Sequence, residues 1–309
     1  MTAPVRLGLV GYGKIAQDQH VPAIAGTPGL ELCAVASRNN KAPGLPNYDS
    51  LQDLLEAEPS IDAVILCQPP QVRFDAARDA ILAGKHVFME KPPGASVSEV
   101  EALIAFAGRA NVTLFASWHS RYARHVAAAK RWIAARSLER VAIAWKEDVR
   151  HWHPGQDWIW QPGGFGVFDP GINALSILTE IVPHRIRLIN AELETPSNRH
   201  APIAAQLSMA TEFGAPIDAE FDFRQTGPQS WDIIVEASGE QLCLGHGGNT
   251  LSSNVPADDH VIEGEYPAMY EHFRTLVATR GIDVDVAPLQ LVADAFLRGR
   301  SFPTEEFHD

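Results

Sequence analysis

Lys91 lies in the sequence Glu90-Lys91-Pro92, directly after the β-type run His86–Met89. Doubly wound folds bind their ligands beyond the carboxyl ends of parallel strands, and Lys91 would lie at such an end. An ammonium group there can polarise a reacting hydroxyl and stabilise negative charge that develops on its oxygen. This position makes Lys91 a candidate catalytic residue; the alternative is an ordinary surface lysine between a strand and a proline.

Asp169 and Asn173 are four residues apart at the start of a predicted helix, so they lie on one helix face. The alternatives are a helix N-cap for Asp169 and a core amide for Asn173. The preceding Gly163-Gly164 allows the backbone to approach a ligand closely. Both side chains are therefore candidates to face a substrate and to take part in catalysis.

Glu147, His151 and His153 suggest two kinds of site. Imidazole and carboxylate groups bind Zn²⁺ or Fe²⁺, but these two histidines would need a further ligand from elsewhere. Imidazole also exchanges protons near neutral pH, with an unperturbed pKa of about 6.5. We therefore predict no bound metal. We expect His153 to be a substrate partner or general base, Glu147 to bind substrate, and His151 to be structural.

Tryptophan is frequent in this chain, with 7 among 309 residues. Flat aromatic rings can cover an apolar face of a small ligand while polar groups bind its rim. Core packing is the alternative for each ring. We predict that Trp152 and Trp231 bind substrate and that His119, which follows the last strand of the first half, reaches the same pocket.

A glycine turn near the start predicts a dinucleotide site. The β-rich run Val5–Val10 leads into Gly11-Tyr12-Gly13-Lys14-Ile15-Ala16 and then into a helical stretch. Gly11 permits the tight turn, and Gly13 lets the backbone approach a pyrophosphate that the helix N-terminus stabilises. Ala16 replaces the usual third glycine and is still small enough for close packing of helix on strand.

The elements around these motifs predict two domains. Strands alternate with helices up to residue 116, which indicates a parallel, doubly wound sheet. Beyond Arg121 the pattern changes. Four alternating stretches follow one another without intervening helices and indicate an antiparallel sheet: Ile186–Glu194, Ala204–Thr211, Ile217–Arg224 and Trp231–Ser238. The predicted fold class is an α/β Rossmann domain over residues 1–120, followed by an α+β domain over 121–309. A C-terminal helix, Ala287–Arg298, could pack back on the first domain.

The end of the second strand bears on the choice of cofactor. NAD sites place an acidic residue there for the ribose hydroxyl, but Glu31 opens that strand rather than ending it. Ser37 and Arg38 end it instead, and a guanidinium binds a 2′-phosphate as a planar fork. We predict that NADP is preferred and that NAD is also used.

Composition excludes several classes of partner. The net charge of −13 disfavours nucleic acid and anionic membranes, so a neutral substrate is expected. The opening run MTAPVRLGLV leads directly into a strand, which predicts no signal peptide and a cytoplasmic protein. The chain contains 3 widely spaced cysteines without a CxxC motif, which predicts buried, reduced thiols.

Two motifs resemble the glucose–fructose oxidoreductase/inositol dehydrogenase/MocA (Gfo/Idh/MocA) family. They are Glu90-Lys91-Pro92 and the run GGFGVFDPGIN over residues 163–173. Within that family, residues 146–177 are similar to bacterial aldose 1-dehydrogenases that act on L-arabinose and D-galactose. Two departures leave the general base open: Asn173 stands where the family usually has His, and residues 67–73 (CQPPQVR) replace a TP…H segment.

The resemblance implies oxidation of a small neutral sugar at its anomeric carbon, with hydride transfer to NADP⁺ or NAD⁺. It also implies a large open-faced second sheet through which the chain forms a homodimer. It further implies that Lys91, Asp169 and Asn173 are catalytic, with Asp169 favoured as base by its place in the motif and His153 as the alternative. Rival hypotheses are oxidation of a ring hydroxyl, as in inositol dehydrogenases, and a non-catalytic dinucleotide sensor. The residues expected to contact the cofactor are Gly11, Gly13, Lys14, Ile15, Ser37, Arg38, Cys67, Gln68, Glu90 and Lys91.

Overall fold

The computed structural model describes residues 3–252 and 262–308. These residues form two compact units, one of residues 3–119 and 262–286 and the other of 120–252 and 287–308. Residues 262–286, expected in the second domain, therefore belong to the first unit. The expected C-terminal helix belongs to the second.

Strands and helices are numbered in chain order over the described residues. The strands are β1 Val5–Val10, β2 Leu30–Ala36, β3 Asn47–Tyr48, β4 Ala63–Leu66, β5 His86–Glu90, β6 Leu114–Ser117, β7 Leu138–Lys146, β8 Ile186–Pro196, β9 Ala204–Thr211, β10 Pro216–Asp222, β11 Ser230–Ala237, β12 Glu240–Gly245, β13 Thr250–Ser252, β14 Ile282–Asp283 and β15 Arg300–Thr304. The helices are α1 Val21–Gly26, α2 Leu51–Ala57, α3 Arg73–Leu82, α4 Val97–Ala110, α5 Val126–Ala134, α6 Val149–Trp152, α7 Phe168–Ile181, α8 Glu265–Thr279 and α9 Ala287–Arg298.

The first unit is built on a parallel sheet with the strand order β14-β6-β5-β4-β1-β2-β3. All residues of β4 are buried, as expected for a strand that helices cover on both faces. Helix α8 packs its aromatic side chains on this core. The Tyr270 ring stacks on Phe88 at a centroid distance of 5.1 Å, and Phe273 meets Phe88 edge to face at 5.3 Å. Burial of these rings explains why residues 262–286 join the first unit.

The second unit is built on a mixed sheet with the strand order β13-β12-β11-β7-β10-β9-β8-β15. The pairs β7–β10 and β8–β15 are parallel, and the other pairs are antiparallel. Side chains of β10 alternate between buried and exposed, so one face of the sheet is covered. Helix α7 lies on that face: a Cβ added at Gly171 would approach the Phe221 ring to 3.2 Å. The predicted fold class is confirmed.

Two further expectations concern the chain as a whole. Cys33, Cys67 and Cys243 carry free thiols, as predicted, but they are half-buried rather than buried. Within residues 3–252 and 262–308, no helix combines the length and the apolar character needed to cross a bilayer.

Candidate active site

The glycine turn after β1 packs tightly on one side and opens on the other. The Gly11 N–H donates to Ala36 O at 2.9 Å, and a Cβ on Gly11 would lie 2.9 Å from the Gln68 nitrogen. Gly11 also has φ +92°, which favours glycine. Gly13 is exposed, and a Cβ there would meet nothing within 4 Å. Lys14 and Ile15 follow it as exposed residues at the start of a helical segment. This open turn fits a dinucleotide pyrophosphate.

The end of β2 lies beside this turn. Ser37 Oγ accepts a hydrogen bond from the Asn40 N–H at 3.4 Å, and Asn40 Nδ2 donates to Tyr12 O at 2.9 Å. Arg38 is exposed, and among the described residues it takes part in no ion pair or hydrogen bond. Glu31 lies at the opposite end of β2, where it faces Arg6 at 3.6 Å. The residues at this strand end are therefore a hydroxyl and a guanidinium.

Lys91 follows β5 directly and is held through its neighbour. The Lys91 N–H donates to Glu90 Oε2 at 2.6 Å, and the Lys91-Pro92 peptide bond is cis. The Glu90 side chain is buried, and its Oε1 accepts from the Tyr266 hydroxyl at 2.8 Å. The same oxygen lies 3.1 Å from His20 Nε2. Glu90 is thus an internal support for Lys91.

His20 completes this buried network. Its Nδ1 lies 2.7 Å from the Tyr270 hydroxyl. Burial alone would lower the pKa of His20. The neighbouring Cys67 and Glu90 have the opposite and larger effect, and they raise this pKa to about 10. Burial raises the pKa of Glu90, whereas the hydrogen bond and charge of His20 lower it to about 2. The pair is therefore charged near neutral pH, and a charged pair in the interior must be fully hydrogen-bonded.

The second unit brings Glu147, His153 and Asp169 together. His153 Nε2 lies 3.0 Å from Glu147 Oε1, and His153 Nδ1 lies 3.4 Å from Asp169 Oδ2. Both carboxylates are buried, while the His153 side chain is 13% exposed. An imidazole between two carboxylates can carry a proton from one to the other.

Helix α7 and strand β7 position this cluster. Asp169 lies in the first turn of α7, whose N-cap is Val167, so it is not the N-cap. The positive end of the helix dipole favours its negative charge. Asn173 lies one turn later and is half-buried. Glu147 follows β7, and its N–H donates to Asp222 O at 2.9 Å.

Aromatic rings adjoin Glu147. Trp231 Nε1 donates to Glu147 Oε2 at 2.9 Å, and the Trp231 ring lies 5.1 Å from the Trp152 ring. Trp152 is 40% exposed, whereas Trp118 and Trp160 are buried. The Trp152 and Trp231 rings therefore place an accessible apolar surface beside the polar cluster of Glu147, His153 and Asp169.

His119, His151 and Gly164 complete the residues that the sequence singled out. His119 belongs to the first unit, where Nδ1 lies 2.6 Å from Glu265 Oε2. His151 is exposed and contacts the Trp152 ring edge to face. A Cβ at Gly164 would lie 2.3 Å from Ile159 O, and a role of this glycine in ligand approach stays a prediction. That glycine is needed for packing against the chain itself.

Metal ligation was the other hypothesis for Glu147, His151 and His153. In the part of the chain that the structure describes, no three His, Cys, Asp or Glu side chains are arranged to hold a metal ion.

Sequence analysis did not identify His20, Tyr266 or Tyr270. Glu90 is 70 residues from its partner His20 and 176 from its partner Tyr266, and Tyr270 is 250 residues from its partner His20. The one available signal was a glutamate at the end of the apolar strand His86–Glu90, which requires hydrogen-bonding partners if it is buried.

Known proteins resemble this chain along nearly its whole length. Residues 5–117 match the model described as "Oxidoreductase family, NAD-binding Rossmann fold" (GFO_IDH_MocA). A galactose 1-dehydrogenase of Pseudomonas fluorescens is 47% identical over 306 residues, with 99% of each chain covered. The crystal structure of D-galactose-1-dehydrogenase from Rhizobium etli has a TM-score of 0.94 at 52% identity, covering 100% of this chain and 99% of that one.

A more distant structure shares the fold alone. The 3-ketoreductase KijD10 of Actinomadura kijaniata, solved with NADP and TDP-benzene, has a TM-score of 0.82 at 18% identity. The match covers 97% of this chain and 99% of that one.

Proposed function

Because the chain belongs to the Gfo/Idh/MocA oxidoreductase family, as its motifs predict, we propose that it is an aldose 1-dehydrogenase. It oxidises the anomeric carbon of D-galactose and L-arabinose to the aldonolactone. The observation that carries this proposal is the identity of 47% and 52% with two galactose 1-dehydrogenases along nearly the whole chain. The cluster of Glu147, His153 and Asp169 supports it from the structure.

The reaction removes a hydride from C1 and a proton from the C1 hydroxyl, so that a C=O double bond forms. A bound nicotinamide supplies the hydride acceptor. The Lys91 ammonium stabilises the negative charge that develops on the sugar oxygen. Asp169 takes the proton, and His153, 3.4 Å away, passes it towards Glu147. His153 acting directly as the base is the alternative.

The same residues would select the sugar. Trp152 and Trp231 cover an apolar sugar face, while Glu147 and Asn173 bind hydroxyl groups. D-Galactose and L-arabinose share the arrangement of hydroxyls at C2 to C4, so one set of hydrogen bonds serves both. A wrong epimer would leave polar groups unpaired and be rejected strongly.

NADP⁺ is the preferred cofactor in this proposal. Ser37 and Arg38 at the end of β2 would bind the 2′-phosphate, and the exposed Arg38 guanidinium can do so without breaking an ion pair among the described residues. NAD⁺ remains a substrate because neither Ser37 nor Arg38 repels a ribose that lacks the phosphate. Glu31, paired with Arg6, lies at the other end of the strand, so it would not repel the 2′-phosphate of NADP⁺. Gly11, Gly13, Lys14, Ile15, Cys67 and Gln68 form the remaining contacts. A homodimer through the open sheet face is also proposed.

Nicotinamide reduction with a panel of sugars tests this function. D-Galactose, L-arabinose, D-xylose, D-glucose and myo-inositol are each assayed with NADP⁺ and with NAD⁺. We expect selective turnover of the first two sugars, faster with NADP⁺ at limiting cofactor. Turnover of myo-inositol alone would indicate that the enzyme oxidises a ring hydroxyl group and not an anomeric carbon. Cofactor binding without turnover of any sugar would favour a dinucleotide sensor.

A further inference from the structure

Arg73 is a buried cation and the last residue of the segment 67–73, which stands in place of the family's TP…H pattern. It is the first residue of α3 and is 2% exposed. A buried charge is costly unless its donors are satisfied, so its partners show what it holds in place.

Three main-chain carbonyl groups accept hydrogen bonds from the Arg73 guanidinium. Nη1 donates to the carbonyl oxygens of Glu90 and Pro92, and Nη2 donates to that of Gln68. Glu90 and Pro92 are the residues on either side of Lys91. The backbone that carries Lys91 is therefore bound on both sides by one rigid group.

The third contact joins this backbone to the glycine turn. Gln68 follows β4, and its nitrogen is the atom that a Cβ on Gly11 would approach to 2.9 Å. Arg73 thus links the Lys91 segment to the loop that packs against the expected cofactor turn. A guanidinium offers a planar fork of donors, whereas the three donors of a lysine radiate from a single atom.

We propose that Arg73 is a positioning residue that fixes Lys91 relative to the cofactor turn, so that the ammonium meets the reacting oxygen. This inference rests on the proposed catalytic role of Lys91. A displacement of about 1 Å in a catalytic group can lower the rate about 10²-fold. Loss of the Arg73 guanidinium should therefore lower kcat more than it lowers the stability of the fold or the affinity for the sugar.

A double-mutant cycle in the full chain tests the proposal. Arg73→Lys, Lys91→Ala and the double variant are assayed with D-galactose and NADP⁺, using single turnover at excess enzyme for the slow variants. With Lys91 present, we expect Arg73→Lys to lower kcat about tenfold to 10²-fold. The KM for galactose should change less than about threefold. In the Lys91→Ala background the same change should alter kcat less than about twofold, because coupled residues are not additive.

Two controls separate positioning from folding. Arg136→Lys alters a matched guanidinium that donates to the Trp132 carbonyl at 3.1 Å, and its kcat should stay within about twofold of the parent. Thermal unfolding midpoints of all variants are recorded, and Arg73→Gln serves as the second variant if Arg73→Lys does not fold.

The outcomes are distinct. If Arg73→Lys lowered kcat by the same factor with Lys91 present and in the Lys91→Ala background, the positioning role would be overturned, because Arg73 would then act independently of Lys91. An unchanged kcat in Lys91→Ala would instead contradict the proposed function of Lys91, and the inference would fall with it.

Discussion

A histidine beside a glutamate occurs in each unit, and the two pairs differ in their surroundings. His20 is fully buried among aromatic rings, and both of its nitrogens have partners in Tyr270 and Glu90. His153 is partly exposed and lies between two carboxylates. A fully enclosed pair can only support the backbone beside it, whereas a partly exposed one can exchange protons with a substrate. The first supports Lys91, and the second is where we expect proton transfer.

Replacing Asp169 should have the largest effect. Asp169→Asn removes the proposed base and should lower kcat by about 10²–10⁴-fold, while the Kd for NADP⁺ is unchanged. Steady-state kinetics and cofactor titration measure both. Asp218→Asn, an exposed residue of β10 whose side chain pairs with Arg140, is the control. A larger loss for His153→Gln than for Asp169→Asn would assign the base to His153.

Matched glutamine substitutions should separate the two glutamates. Glu90→Gln leaves His20 charged and buried, so the free energy of unfolding should fall by about 3–5 kcal/mol. Glu147→Gln should lower kcat/KM for galactose about tenfold to 10²-fold, because a charge-assisted hydrogen bond is lost. Chemical denaturation and kinetics on both variants check this. The reverse result would contradict these roles: a larger loss of stability in Glu147→Gln and a larger loss of kcat/KM in Glu90→Gln.

A change at the cofactor end should leave the sugar cluster unaffected. Arg38→Ala should raise the KM for NADP⁺ about tenfold or more, since a charged hydrogen bond to the 2′-phosphate is lost. The KM for NAD⁺ and for galactose should hardly change. Arg78→Ala, a half-buried arginine of α3 that pairs with Asp79, is the control. Equal increases in the KM for NADP⁺ and the KM for NAD⁺ would argue against a contact between Arg38 and the 2′-phosphate.

The smallest expected effect is on the pH dependence of stability. Because the pKa of His20 is raised from 6.5 to about 10, its stabilisation is complete below 6.5 and lost as pH rises through 10. Because the pKa of Glu90 is lowered from 4.5 to about 2, its stabilisation is complete above 4.5 and lost as pH falls through 2. Raising the pH from about 7 to 9 should lower the Tm of the parent more than that of His20→Gln. Parallel curves would show that the pair is not charged.

Local motifs allowed much of the architecture to be predicted. The glycine turn and Glu90-Lys91-Pro92 predicted the cofactor fold and the family, and both are confirmed, as is an NAD(P)-dependent oxidoreductase. Helix α8 was missed although Tyr266, Met269, Tyr270 and Phe273 have helical spacing. Its buried face shows that the signal was present.

The supporting network could not be predicted in the same way. Arg73 contacts carbonyl groups 17 and 19 residues away, and His20 contacts Tyr270 across 250 residues. Such pairs form only when strands and helices are assembled, and no periodicity or spacing encodes them. The roles of Lys91, Asp169 and the other site residues remain predictions.

Isotope transfer from labelled galactose tests the central claim most directly. D-[1-²H]galactose is oxidised with NADP⁺, and the reduced cofactor is examined by NMR for deuterium at C4 of the nicotinamide. We predict that deuterium appears there and that the product is the 1,4- or 1,5-lactone. Deuterium transfer from D-[3-²H]galactose, with none from the C1-labelled sugar, would contradict oxidation at the anomeric carbon.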